Sequence, residues 1–390
     1  MLVAHVSDCY LPRTGGIESQ VSDLAARQAA TGHEVHVLTA TLGPGGERGG
    51  VVDVERGVHV HRLGARMPSD LPVNPAQARL IATALRAVRP DVVHVHAGML
   101  SPFAFDGARA ALAQRLPVAV TWHCMLDGAV TALRTGARLT GWARQPLALS
   151  AVSEIAADRV EAVFGRPVAV VPNGLDLDRW VPDAATGSGT DPRPAGSRPL
   201  RLVSTMRLAP RKRAVPLVDA VAAAAARLAP GALTLDLVGS GPDRRKVERR
   251  VERHGLGGVV RVRGRLPRED LRAIYSRADV FLAPAVLEAF GIAALEARVA
   301  GLAVVARRQT GIATFVEHGT NGLLVDDDEG LADAVVQLAR DRALLGRIRL
   351  RNAGNLPDLG WEQVMVAAQR EYERARELRD GRGGEIAENA

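Results

Sequence analysis

Hydrophobic positions along this 390-residue chain form short continuous runs, separated by longer stretches in which apolar residues recur every three or four positions. Runs of the first kind are strands buried on both faces, and the pattern between them is that of helices covering a sheet. In the first part the runs lie at 2–6, 34–39, 91–96, 117–122 and 147–152, with a helix expected over 17–30 and Ala-, Leu- and Arg-rich helical stretches between the others. Such alternation predicts a doubly wound parallel sheet. A Pro/Gly/Ser/Thr/Asp-rich segment, 182–199, interrupts it and reads as a linker. The alternation restarts at Leu200-Arg-Leu-Val-Ser-Thr-Met206. It continues with helix 214–228, strand 233–238, helix 244–254, strand 259–263, helix 268–277, and a strand-loop-helix-strand from Ala278 to Ala306. Two Rossmann-like α/β domains are therefore expected, at 1–181 and 200–356. A Trp-led helix within 357–378 follows, then a Gly- and charge-rich tail, 379–390, expected to be mobile. Ligands of such sheets bind beyond the carboxyl ends of the strands, so two facing domains are expected to enclose a cleft.

Composition narrows the setting. Hydrophobic residues make up 47% and charged residues 24%, the balance of a soluble globular protein. No apolar run reaches the roughly 18 residues of a membrane span. The opening Met1-Leu-Val-Ala-His-Val-Ser-Asp8 lacks a basic start and a small-residue cleavage site, and reads as a first strand. Cys9 and Cys124 give neither a disulfide framework nor a zinc spacing, so a cytoplasmic location is expected. The net charge of +7 admits anionic partners, but aromatics are only 3% and there is no Lys/Arg block, which argues against nucleic acid. Arg62, Arg66, Arg79, Arg86 and Arg89 surround a helical pattern at 76–88 with Leu80, Ala84 and Val88 in register. This admits weak peripheral contact with an anionic inner membrane face, although an ordinary amphipathic helix over a sheet is the favoured reading.

Most chemistry is concentrated in Ala285-Val-Leu-Glu-Ala-Phe-Gly-Ile-Ala-Ala-Leu-Glu-Ala-Arg-Val-Ala-Gly301. Glu288 stands before a helix start and Glu296 two turns inside it. A glycine at that start leaves backbone N–H groups open to an anion favoured by the helix dipole. A ligand across it would meet both carboxylates, and its phosphates the amides of Phe290, Gly291 and Ile292 beside Ala289. A second cluster, Ser204-Thr-Met-Arg-Leu-Ala-Pro-Arg-Lys-Arg213, gathers Arg207, Arg211 and Lys212 where a strand hands over to a helix. Lysine occurs only at Lys212 and Lys246 among 50 basic residues, so a compact ammonium retained here is informative.

The first stretch resembles the E-x7-E signature of retaining glycosyltransferases of the GT-B fold, the group-4 family that uses nucleotide sugars. The second resembles the family's G-R-L with a following lysine, Met206 replacing the glycine. Asp8-Cys-Tyr-Leu-Pro-Arg-Thr-Gly-Gly-Ile-Glu18 is similar to its glycine loop, with Gly15 and Gly16 before a helix and Tyr10 upstream. Arg263-Gly-Arg-Leu-Pro267 matches the segment that reads the nucleobase, which points to Arg265 and Leu266. Val171-Pro-Asn-Gly-Leu-Asp176 is expected to shape the hinge, and Gly239-Ser-Gly-Pro242 resembles the family's G-x-G-P turn. His123 follows a strand, in a context where the family's histidine faces donor sugar and acceptor. His94 and His96 share one face of a strand by its two-residue period. Lacking a third ligand at a convincing spacing, they read as structural or at most near the acceptor.

The resemblance implies transfer of a sugar, with retention, from GDP-mannose or a UDP-sugar to an unidentified small-molecule, glycan or lipid acceptor. Arg207 and Lys212 would stabilise the departing diphosphate, Glu288 would accept bonds from sugar hydroxyls, and Glu296 from the ribose. It also implies a final helix returning toward the first domain. No metal or other cofactor is expected, because the basic pair takes the role of a divalent cation. A nucleotide-sugar epimerase and a non-catalytic nucleotide-sugar-binding protein are the alternatives.

Overall fold

The computed structural model describes residues 1–13, 15–67, 73–182 and 198–381, so most of the expected linker and the end of the expected tail lie outside the described residues. Two compact units emerge: Met1–Gly174 with the chain from Trp361 onward, and Leu175–Gly360. Residues 175–182 side with the second unit rather than ending the first. The Leu175 N–H donates to the Leu359 carbonyl at 3.0 Å, and the Trp180 ring lies 5.5 Å from that of Tyr275.

In the first unit the elements run β1 (Leu2–Ser7), α1 (Gly16–Ala30), β2 (Glu34–Thr39), β3 (Val51–Glu55), β4 (Val58–Arg62), α2 (Gln77–Val88) and β5 (Val92–Ala97). After them come α3 (Pro102–Ala113), β6 (Val118–Trp122), α4 (Val130–Leu139), β7 (Leu147–Ala151), α5 (Glu154–Phe164) and β8 (Ala169–Val170). The strands lie in the order β3-β4-β2-β1-β5-β6-β7-β8, and only the β3–β4 pair is antiparallel. Every residue of β5, β6 and β7 is buried, including the polar His94, His96, Thr121 and Ser150 that interrupt their apolar runs.

The hairpin β3–β4 carries a correction. Arg62, expected among the lipid-facing arginines, is 0% exposed, ion-paired to Asp53 and Glu55 and stacked near the Tyr10 ring. A guanidinium enclosed by two carboxylates of the same hairpin has no face left for a membrane. Helix α2 also turns by one position from expectation. It buries the large apolar Ile81 and Leu85 together with Gln77, whose Nε2 donates to Asp106 of α3 at 2.7 Å. Arg79, Arg86 and Arg89 remain exposed.

The second unit runs β9 (Leu200–Thr205), α6 (Ala214–Ala225), β10 (Leu233–Val238), α7 (Arg244–Arg253), β11 (Val260–Gly264), α8 (Arg268–Tyr275) and β12 (Val280–Ala283). It ends with α9 (Ile292–Val299), β13 (Ala303–Arg307), β14 (Gly322–Val325), α10 (Asp328–Arg340) and α11 (Arg342–Gly354). Its strands are all parallel, in the order β11-β10-β9-β12-β13-β14. The core joins Leu202, Leu235, Leu282 and Val305 of the sheet to Leu217 and Val221 of α6 and Leu331, Val335 and Leu338 of α10. Each such side chain contributes about 1.5–3 kcal/mol by leaving water. The last helix, α12 (Trp361–Arg379), belongs to the first unit, burying Ala368, Tyr372 and Ala375 against Val3, Val92, Ala119 and Ala148. Among the described residues no helix is long and apolar enough to cross a membrane.

One turn in the second unit sets the loop after β9. At Gly241, φ is +157° and an added Cβ would lie 2.3 Å from the Leu208 carbonyl oxygen. That close approach lets the Leu208 N–H reach the Ser240 carbonyl at 2.9 Å and the Asp243 N–H reach the Leu208 carbonyl at 2.9 Å. Gly241→Ala is therefore expected to lower stability by about 1–3 kcal/mol, from backbone strain and the displaced loop. Equilibrium denaturation checks this; an unchanged midpoint would show that the turn does not brace residues 206–208.

Candidate functional site

Strand order in the second unit reverses between β9 and β12, and open parallel sheets bind ligands beyond the carboxyl ends of the strands at such a reversal. Two loops leave from there. After β9, residues 206–213 pass through a single short turn of helix, Pro210–Lys212. After β12, residues 284–291 lead into α9. The loops meet through an ion pair in which Lys212 Nζ donates to Glu288 Oε2. The side chains of Lys212 and Glu288 are 22% and 21% exposed, so a ligand can reach both. The Glu288 backbone is fixed from behind, its carbonyl accepting the Gly311 N–H at 2.8 Å.

Arg207 and Arg211 stand exposed on the first loop, and neither has an ion-pair partner among the described residues. Gly291 has φ +90°, and a Cβ there would lie 2.5 Å from Ile312. This glycine turns the chain into α9 with the first amides uncovered: among the described residues, the N–H groups of Phe290, Gly291 and Ile292 donate to nothing. Ala289 and Phe290 are themselves buried, the Phe290 ring 5.4 Å from that of Phe315. They therefore offer backbone, not side chains. Lys212 therefore meets, through Glu288, the loop that carries three free amides, and such amides at a helix start suit an anion.

Glu296 lies inside α9, partly open along its side chain, with its carboxyl set deep. Burial pushes its pKa up to about 8, opposed by the nearby Arg268 charge. Its carboxyl group is therefore largely protonated at neutral pH and able to donate as well as accept a hydrogen bond. Arg265 and Leu266 lie after β11, on the same edge of the sheet but two strands from the reversal. The Gly239 N–H bonds the Gly264 carbonyl at 2.7 Å and ties that loop to the one bracing Leu208.

The first unit has its own reversal, between β1 and β5. Tyr10, expected at the ligand, is instead 1% exposed and packed with Val21, Val35 and Val60. Its ring serves the core beneath Arg62, which corrects the expectation. Gly15 opens α1 in extended conformation, and Gly16 begins the helix. The Glu18 carboxylate already faces that first turn, 2.3 Å from where a Gly15 Cβ would stand. That carboxylate also lies 4.0 Å from Arg13 Nε. Asp8, on the same loop, accepts the Phe103 and Ala104 N–H groups at 3.1 and 3.3 Å and caps α3. Burial raises its pKa to about 6, with those bonds opposing.

His123 follows β6, half-buried, with its Nε2 3.0 Å from His96 Nδ1. Burial lowers its pKa to about 4, a hydrogen bond with Asn173 opposing, so the ring is neutral at pH 7. Asn173 belongs to the Pro-Asn-Gly segment read from sequence as a hinge. Nothing in the sequence signalled that its side chain would stand beside His123. A small cavity of about 20 Å³ is lined by His94, His96, His123, Asn173 and Trp361.

Residues 14–179 match the model for Glycosyltransferase Family 4, and residues 199–341 that for Glycosyl transferases group 1. A GDP-mannose-dependent alpha-mannosyltransferase of Mycolicibacterium smegmatis is 30% identical over 369 residues, covering 89% of this chain and 91% of that protein. A GDP-mannose-dependent alpha-(1-6)-phosphatidylinositol monomannoside mannosyltransferase of Mycobacterium tuberculosis is 29% identical over 367 residues, covering 86% and 89%. Among solved structures, Anabaena HepE in complex with UDP and glucose superposes with a TM-score of 0.73 at 19% identity, covering 95% of this chain and 99% of that one. That likeness is one of fold: GT-B, two doubly wound α/β units.

The raised pKa of Glu296 has a stability consequence. Its folded value, about 8, exceeds the ordinary 4.5, so the folded state binds the proton more tightly. The favourable contribution is complete below pH 4.5 and is lost as pH rises to 8. Glu296→Gln removes that loss and is expected to gain on the wild type by about 1–3 kcal/mol between pH 5 and 8, allowing for solvent screening. Thermal denaturation across that range checks it; parallel profiles would mean that Glu296 is ionised throughout.

Proposed function

The chain belongs to the group 1, family 4 glycosyltransferases, and on that premise we propose that it is a retaining mannosyltransferase whose second unit holds GDP-mannose. The observation that carries the reading is the Lys212–Glu288 pair beside the unsatisfied amides of Phe290, Gly291 and Ile292. Without ligand, the ammonium and carboxylate hold each other in place. With donor present, Lys212 turns to the diphosphate alongside Arg207 and Arg211, and Glu288 is released to accept bonds from sugar hydroxyls. Glu296 bonds the ribose, and the loop of Arg265 and Leu266 borders the base.

The chemistry follows from those placements. The anomeric C–O bond breaks and its electron pair goes to the diphosphate. Lys212, Arg207 and the amides stabilise that growing charge more than the ground state. The acceptor oxygen attacks from the face the diphosphate leaves, and its proton passes to a diphosphate oxygen, so the configuration is kept. Relatives named as GDP-mannose-dependent favour guanosine and mannose over a UDP-sugar.

Lys212→Ala is expected to lower kcat about 10²–10³-fold with binding of GDP-mannose weakened less, as for removal of a preorganised charge partner. Steady-state kinetics checks it, and near-full activity would overturn the mechanism. A thermal-shift panel of nucleotide sugars tests the donor: GDP-mannose near 100 times its Kd should add about 2.7 kcal/mol. A larger shift with a UDP-sugar would replace the donor, and conversion of donor alone to a new sugar would favour an epimerase.

A further inference from the structure

Three buried histidines of the first unit, His5, His94 and His96, have ring nitrogens within 4.8 Å of one another. That spacing suits a metal ion, but hydrogen bonds already occupy these nitrogens. His94 Nδ1 meets the Tyr372 hydroxyl at 2.9 Å and His94 Nε2 meets Thr121 Oγ1 at 2.8 Å. His5 Nδ1 meets His96 Nε2 at 2.9 Å, and His96 Nδ1 continues to His123 Nε2 at 3.0 Å. The other side of His5 meets Gln28 Oε1 at 2.7 Å, and Gln28 Nε2 donates to the Tyr372 hydroxyl at 2.9 Å. Register explains the cluster: His5 on β1 stands opposite His94 on β5, and His96 follows two residues on along the same face.

A neutral imidazole has one N–H, so each bond dictates the next. Burial keeps these rings neutral, with His5 lowered to about 4 and His94 and His96 well below their ordinary value. At the far end, Ser150 donates to the Val120 carbonyl at 3.3 Å and accepts from Thr121, the two oxygens 2.8 Å apart. Thr121 then accepts from His94 Nε2–H, leaving His94 Nδ1 bare to accept from Tyr372. The tyrosine oxygen takes the Gln28 amide proton. Gln28 Oε1 takes the proton on His5 Nε2, His5 Nδ1 takes that on His96 Nε2, and His96 Nδ1 takes that on His123 Nε2. All eight donors point one way.

We propose that His96, backed by His5 and Gln28, is a positioning residue that locks His123 in its Nε2–H tautomer against the competing pull of the Asn173 hydrogen bond. The chain thus fixes which nitrogen of His123 donates and which accepts at the first unit's own cavity. Its effect on turnover rests on the proposed transferase activity. The tautomer itself does not, and can be read in the resting enzyme.

The test is two-bond ¹⁵N–¹H correlation NMR of the full chain with labelled histidine at pH 7, with His123→Gln, His96→Gln and His5→Gln used for assignment. The expected result is protonated Nε2 and bare Nδ1 on His123, His96 and His5. A His123 ring protonated on Nδ1, a tautomer mixture or a charged ring would overturn the proposal. So would displacement of the three-histidine resonances by stoichiometric Zn²⁺, which would show a metal site instead. His96→Phe, which removes the acceptor, should scramble the His123 tautomer and lower kcat at least about tenfold with donor KM unchanged. His96→Gln, able to accept on one side and donate on the other, should recover most of that loss. Should His96→Phe not fold, the wild-type spectrum alone decides. A correct tautomer without transferase activity would leave the lock standing and sink the function.

Discussion

Strand β9 pairs with β10 on one side and β12 on the other, and the chain can satisfy both only by leaving the sheet in opposite directions from its centre. Crossover connections in parallel sheets keep one hand, so the loops after β9 and β12 diverge and leave a notch between them. Everything proposed for the donor sits at that notch. Lys212 comes from one loop and Glu288 from the other, 76 residues apart in sequence. Burial of β9 makes the notch rigid: Leu200, Leu202 and Val203 are at most 1% exposed. The Gly239–Gly241 turn and the Gly311 bond to Glu288 then fix the two loops from outside. A pocket that must stabilise developing charge benefits from donors that need not reorganise.

The first unit uses a different device. Its sheet interior carries histidines where a parallel sheet ordinarily carries Val or Ile. Each unsatisfied ring nitrogen in such a place would cost about 1–3 kcal/mol, and the hydrogen-bond chain removes that cost by serving every one. The final helix is part of this arrangement, since Tyr372 of α12 joins Gln28 of α1 to His94 of β5. Chain connectivity therefore matters here for polar satisfaction as well as for apolar burial.

Much of this was legible in the residues because buried parallel strands are rich in Val and Leu over short stretches. Strands 34–39 and 233–238 stand where the pattern put them. The hairpin β3–β4 did not announce itself, since Val51, Val52 and Val54 are exposed on an edge strand whose partner role depends on Arg62. Tyr10 misled for a related reason. An aromatic next to a glycine loop looks like a ligand platform, and only the distant Arg62 shows that it faces the core. The charged pair Lys212 and Glu288 was visible as two separate motifs, but their contact follows from strand order, which local sequence does not encode. His5 gave no signal by itself. Only the register between β1 and β5 brings it beside His94 and His96.

The central claim is that diphosphate departure and acceptor attack occur on one face of the sugar, organised by the notch between β9 and β12. The most direct measurement is the anomeric configuration of the sugar in the transferred product, read by ¹H NMR from a reaction with GDP-α-mannose and a competent acceptor. The account predicts an α-linked mannoside from the outset of the reaction. A β-linked product would mean attack from the opposite face, and would contradict the roles given to Lys212, Arg207 and the amides of α9.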